Sequence, residues 1–561
     1  MSATITGNAH RDTDDAKLMR RWVIVLSTLA VAAQLYLVWG FDFFPTIDGP
    51  AHTHMAYAMY ESLRGDAFYG GLVELNSKLN PNLVTQWLLV ALMAIATPLV
   101  AEKLLLTLYF IAFAAAAGYA LHGINKKALC LLPLFLFCSF TFTLSFGFYN
   151  FTFSTVIFLG WFGYWWQHRD SLTLRTSLCH ALWASLAFCT HVFAFVASVL
   201  AIGITGLAAI AQQARAGRLQ WQRAVWTHAL PPLLGSLPAL LACLYFLFHR
   251  FGAETTADAS NFSLATVVPR LQQFLTASSF APYDNIEFLA AGLFAPLIVA
   301  PVLLLMVKRR RNVSAWLPFA ICFAIFFLIY LTMPFQWIVR WMPPRFQPLV
   351  FITLLLWLAS LLPATLKPAH CKAIGFAGLA FTLLSLAARM TIFTEINAYY
   401  RELASLAPDI RSNSSLVVLR LQPFPTQIDA FIQSGSRIAS MRHAIDLKNF
   451  QGQSDDHPFQ FKPSVGASAA LGGDAAIISL SPDIHLMNYE RTTGHANDYV
   501  ILYGFRQFAI NPAGLANLDA QLDKNYRRIR VSSPTGFASL YARNSSALTT
   551  PALDSHAANQ Q

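Results

Sequence analysis

Charge is scarce in this sequence. Only 12% of its 561 residues are Asp, Glu, Lys or Arg, about half the share of an ordinary soluble protein. So small a polar inventory excludes a water-soluble globule of this length. Cysteine pairing is missing too. The seven cysteines (Cys130, Cys138, Cys179, Cys189, Cys243, Cys322, Cys371) lie in or beside apolar stretches, and no CxxC spacing occurs. They read as buried, unpaired thiols. Internal repeats are absent, and the only low-complexity segment is the C-terminal tail. A net charge of +11 suggests nucleic acid, but the basic residues sit in short clusters between apolar runs. That is the pattern of the positive-inside rule, and no nucleic-acid partner is expected.

What is present is apolar surface. Hydrophobic residues make up 56% of the chain, aromatics 14%, and Phe alone occurs 45 times. Twelve stretches can span or dip into a bilayer: 22–41, 83–100, 103–122, 128–146, 151–166, 172–190, 192–211, 225–248, 288–307, 315–332, 348–366 and 373–393. The polar N-terminal segment 1–21 carries Arg11, Lys17, Arg20 and Arg21, and no small-residue cleavage site precedes Asp48. A retained first helix is expected, not a cleaved signal peptide.

Loop charge sets the expected orientation. Arg20/Arg21, Arg169/Arg175, Arg215/Arg218/Arg223 and Lys308-Arg309-Arg310-Arg311 belong in the cytoplasm, with Lys126/Lys127 and Lys367/Lys372 as weaker members. Crossing at every stretch would put several of these outside. Demoting 83–100 restores them together, and that stretch opens on Asn80-Pro81-Asn82, is interrupted by Thr85-Gln86 and ends at Thr97-Pro98. The expected fold is a polytopic α-helical membrane protein with about eleven crossings plus one re-entrant or interfacial segment. Its N-terminus (1–21) is cytoplasmic, and the membrane domain (22–393) has a large first outer loop, 42–82. The turns at 147–150 and 190–191 and the loops 248–287 and 333–346 then share that outer face.

Beyond residue 393 the composition becomes ordinary. Strand-like pieces at 415–421, 475–480, 499–503, 526–531 and 536–541, with a helix at 399–406, predict a small C-terminal α/β extracytoplasmic domain, 394–543. A disordered tail, 544–561, follows.

The first outer loop contains Asp48-Gly49-Pro50-Ala51-His52-Thr53-His54. Asp48 suits two roles: N-cap of the helix that Pro50 helps to start, or a carboxylate that takes a proton from an acceptor hydroxyl. His54, Tyr57 and Glu61 form one helical stripe. Asp48, His52 and His54 also have a spacing open to a divalent metal, but residues two apart cannot share one helix face, and no metal ligand is assigned. Asn150 either caps the following helix or bonds a sugar or phosphate. His191, in a turn with almost no loop, is either structural or part of a pocket. In loop 248–287 the acids Glu254, Asp258, Asp284 and Glu287 read as solvated charge, with Asp284, just before a span, the exception. Trp337 and Trp341 form an aromatic belt beside Arg340 and Arg345. These two arginines either snorkel to the headgroups or hold the phosphate of a lipid carrier.

With these residues in view, the chain resembles the GT-C superfamily of polyprenyl-phosphate-sugar-dependent glycosyltransferases. The similarity lies in Asp48 just after the first span, the short helix behind it, Asn80-Pro81-Asn82, Asn150-Phe151, Thr190-His191, Arg345-Phe346 before a late span, and the outer C-terminal domain. The resemblance implies an inverting transfer of sugar from a polyprenyl-phosphate donor to a glycan, lipid or protein acceptor at the outer face. Asp48 would be the general base and Arg345 with Arg340 the phosphate site. His52, His54, Glu61, Asn150, His191 and Asp284 would contact substrate. Two departures stand out: no DxD triplet occurs in the outer loops between Asp48 and Phe346, and Gly49 stands where many members carry a second acid. Both favour a reaction without a metal cofactor. A bacterial inner membrane, with the C-terminal domain in the periplasm, is the expected location. A transporter or lipid flippase is the alternative, although such proteins place ionisable residues mid-span and often repeat their halves.

Overall fold

The computed structural model describes residues 3–170, 173–215, 226, 230–253, 264–283, 287–309, 313–335, 341–363, 365–424, 426–454, 457–465, 471 and 484–544. Asp284, Arg340, Glu254, Asp258, the strand expected at 475–480 and nearly all of the tail lie outside them.

Among the described residues nine helices are long and apolar enough to cross a membrane. Tyr149–His168 and Leu174–Thr190, of 20 and 17 residues, fall on two further stretches expected to span. With the nine they make up the expected eleven. The twelfth stretch forms the 10-residue helix Val84–Met93, about 15 Å long and so half a hydrocarbon core. The chain is a multi-pass membrane protein.

Two details depart from the sequence reading. The stretch at 128–146 is broken into Leu132–Phe137 and Phe142–Phe146, preceded by a 3-10 turn. A break at this depth survives because its polar groups are satisfied: Tyr109 Oη donates to Ser139 O (2.7 Å), Gln34 Nε2 to Leu136 O (2.6 Å), and Thr141 Oγ1 accepts from Leu144 N–H (3.3 Å). The helix expected at 399–406 is no separate element. It is the end of a 37-residue helix, Pro368–Ala404, which at about 55 Å overshoots a bilayer core and carries the chain straight into its C-terminal part.

Among the described residues that part is built on a five-stranded sheet of β2 (Ser415–Arg420), β3 (Ile445–Asp446), β5 (Tyr499–Tyr503), β6 (Tyr526–Val531) and β7 (Ala538–Arg543), in the order β3-β2-β5-β7-β6. β2 runs parallel to β3 and β5, and β7 is antiparallel to β5 and β6. Strand β5 is buried throughout, as a central strand with Val, Ile and Leu should be.

The C-terminal part returns to the first loop in two places. Strand β1 (Val73–Leu75) pairs antiparallel with β4 (Phe459–Phe461), Val73 opposite Phe461. The helix Ser434–Arg442 packs on Gly49–Leu63 and drives Arg437 against Glu102, at the start of the span Pro98–Ile124. Their side chains are 4% and 0% exposed and 2.7 Å apart, and Tyr149 Oη donates to Glu102 Oε1 (2.6 Å). Stranding either charge alone there would cost about 3–5 kcal/mol.

Candidate active site

The first-loop helix Gly49–Leu63 starts where two glycines let backbones meet. A Cβ on Gly49 would collide with Thr46 Oγ1 and Tyr149 Oη and sit 2.8 Å from Glu102 Oε1. A side chain at this position would have to displace all three of those oxygens. Gly147, at φ +88°, lies against the backbone of Asp48 and Gly49, a conformation and an approach that a side chain would spoil. The Asp48 N–H donates to Phe146 O (2.9 Å), tying the first loop to the turn between two spans.

Asp48 occupies the N-cap position, but its side chain makes no capping hydrogen bond. It faces a cavity of about 160 Å³ lined by Asp48, His52, Asn150, His191, Arg345 and His457, with Asn82, Phe148, Phe151 and Phe450 completing the wall. Asp48 is 8% exposed. Burial pushes its pKa up to about 7, and the Arg345 charge opposes that rise. Arg345 enters from the first turn of Met342–Leu361, its guanidinium 3.7 Å from the centre of the Phe148 ring. Its Nε is buried without a hydrogen-bond partner among the described residues.

Polar side chains around the cavity hold its walls. Asn150 does not cap its own helix. Its Oδ1 accepts from Thr85 N–H and its Nδ2 donates to Asn82 O, both at 2.9 Å, so it fastens the start of Val84–Met93. His191 Nδ1 accepts from Phe193 N–H (3.1 Å), which leaves its proton on Nε2. His52 Nδ1 is contacted by Gln451 Nε2 and by Gln86 Nε2 at 2.5 Å. Burial, and then the neighbouring His457, keep the His52 ring well below the usual imidazole range.

The structure thus brings Asp48, His52, Asn150, His191 and Arg345 together. It does not bring His54 or Glu61. His54 Nε2–H donates to Ala444 O (3.0 Å), and Nδ1 accepts from Asn449 (3.2 Å). That ring is fully spent clamping the first-loop helix to the C-terminal part. Glu61 lies about two helical turns further along, 3.9 Å from Arg64 and away from the cavity. No three His, Cys, Asp or Glu side chains among the described residues converge as metal ligands, because helix periodicity sends His52 and His54 to different faces. Glu287 is a buried partner of Arg389 at 2.6 Å, not a solvated loop charge. Asp284 and Arg340 are outside the described residues. Sequence reasoning missed Phe148, Phe450 and His457. The last two lie in a polar region whose contact with the first loop has no local signature.

No family model and no curated protein matches the sequence. Among solved structures, the chain superposes on ArnT from Cupriavidus metallidurans bound to undecaprenyl phosphate, with a TM-score of 0.51 at 11% identity. The match covers 94% of this chain and 98% of that one. The two proteins share one fold. That likeness is one of fold, and it extends over the C-terminal part as well as the membrane part. In this fold the cavity lies where the first loop, the 147–150 turn, the 190–191 turn and the head of Met342–Leu361 meet.

Proposed function

We propose that this chain is an integral-membrane glycosyltransferase that moves a sugar from a polyprenyl-phosphate donor to an acceptor hydroxyl on the extracytoplasmic face. One observation carries the reading: a buried carboxylate, free of any capping bond, lines the same cavity as a buried guanidinium. Asp48 accepts the hydroxyl proton as the acceptor oxygen forms a bond to the anomeric carbon. The bond from that carbon to the phosphate oxygen breaks, and the lipid phosphate leaves with the electron pair. Arg345 stabilises the charge that develops on the phosphate. Attack from the face opposite the leaving group inverts the anomeric centre. None of these steps calls on a metal. The acceptor is a glycan, lipid or protein, the protein sits in a bacterial inner membrane with its N-terminus in the cytoplasm, and the C-terminal part faces the periplasm.

The test is sugar transfer from a polyprenyl-phosphate-sugar extract in membranes carrying wild type or Asp48→Asn. The amide keeps the shape and removes the base, so transfer is expected to fall by at least about a hundredfold at equal expression. Equal transfer by both proteins would refute the assignment. If neither transfers although donor is supplied, a transporter becomes the better reading.

A further inference from the structure

We infer that His457, contributed by the C-terminal part, is a substrate-binding residue whose Nδ1 bonds a hydroxyl group of the sugar bound in the cavity. The inference rests on the glycosyltransferase reading and deepens it.

His457 lines the cavity with Asp48 and Arg345, yet its Nδ1 is buried with no hydrogen-bond partner among the described residues. The surroundings fix the ring but leave that atom alone. The His457 carbonyl accepts from Asn76 Nδ2 (2.9 Å) and Asn80 Nδ2 (3.4 Å), and the next carbonyl, of Pro458, accepts from Asn76 N–H (2.9 Å). Two residues further on, β4 pairs with β1. The ring itself meets His52 edge-on at 5.7 Å and Phe450 at 5.9 Å between centroids. Native folds rarely leave such an atom unpartnered, and at a residue that lines a cavity the bond falls to whatever occupies the cavity.

The chemistry of that ligand group follows from the ring. Burial lowers the His457 pKa to about 4, so the imidazole is neutral at physiological pH. A neutral ring nitrogen is a donor or an acceptor according to tautomer, and a hydroxyl, which both donates and accepts, satisfies either. The phosphate has a better partner in the Arg345 guanidinium. The Asn76 and Asn80 bonds come from the first loop, so loop and C-terminal part together hold the hydroxyl contact in register with the base.

The experiment uses full-length protein in lipid nanodiscs and radiolabelled polyprenyl-phosphate-sugar extract. His457→Phe keeps a ring of similar size and removes the nitrogen, whereas His457→Gln returns a donor and acceptor. Phe is expected to lower kcat/KM by about tenfold to a hundredfold, and Gln to recover part of it. The pH midpoint set by Asp48 is expected to stay in place. Binding of the extract without acceptor separates the two sources of the hydroxyl. Weakened binding assigns the contact to the donor sugar, and normal binding with a raised acceptor KM assigns it to an acceptor sugar. Transfer by His457→Phe within twofold of wild type would overturn the inference. Equal losses in Phe and Gln with lowered thermal midpoints would also overturn it, in favour of a structural role. If Asp48→Asn is dead while His457→Phe is normal, only this inference fails. If Asp48→Asn is fully active, the site reading fails with it.

Discussion

Acidification from pH 8 to pH 6 should switch this protein off without unfolding it. With its pKa raised to about 7 by burial, Asp48 is about ten-elevenths ionised at pH 8 and about one-eleventh at pH 6. A base works only when deprotonated, so kcat/KM should fall about tenfold across that interval. An ordinary aspartate would stay ionised throughout and give a flat profile. The other cavity groups do not titrate there: burial lowers His457 to about 4, and burial followed by Arg345 lowers the turn residue His191 to about 3. His52 lies well below its usual range. A phosphodiester donor has no ionisation in the window either. Lys448, lowered to about 7 chiefly by burial, does titrate, but it lies beside Asp446, outside the cavity. Lys448→Met supplies the control and should keep the midpoint.

Stability runs the other way. A carboxyl whose folded pKa exceeds its unfolded value contributes stability that is fully present below about pH 4 and lost as pH rises through about 7. The ionised form at pH 8 therefore costs up to about 4 kcal/mol, and Asp48→Asn should raise the thermal midpoint in detergent while abolishing transfer. Initial rates from pH 5.5 to 9, with thermal midpoints on the same samples, check both halves. A flat kcat/KM profile, or an Asp48→Asn protein less stable than wild type at pH 8, would refute the reasoning.

Other outcomes follow from neighbouring contacts. Gly49→Ala places a methyl group against Thr46, Tyr149 and Glu102, so it should cost about 1–3 kcal/mol, read by thermal midpoint and size-exclusion chromatography. Arg437→Met leaves Glu102 buried and unpaired, and the expected loss is about 3–5 kcal/mol, of which the double variant Glu102→Gln/Arg437→Met recovers a part; thermal midpoints decide it. Arg345→Lys keeps the charge but loses the flat face held 3.7 Å over Phe148, so the donor KM should rise about tenfold with a smaller change in kcat.

The membrane class of this protein was legible in sequence because it depends on local quantities. A run of apolar residues needs only its own length and composition to declare a span, and a basic loop declares its side by charge alone. On the first ground the nine long apolar helices of the described residues were found, and Thr85-Gln86 and Pro98 marked the stretch that forms only a short helix. Asp48, His52, Asn150, His191 and Arg345 could be singled out singly, since polar groups beside spans are costly enough to need a reason. Their convergence was not legible. It depends on Gly49 and Gly147 allowing two backbones into contact, and on Asn150 spending its amide on a different helix from its own. His52 and His54 looked alike in sequence, yet tertiary packing gave one to the cavity and the other to a clamp on Ala444 and Asn449. His457 lies more than 300 residues from His52, and Arg437 more than 300 from Glu102. Hydrophobic periodicity reports which way a side chain faces on its own element, and only the folding of the C-terminal part onto the first loop decides what it meets there.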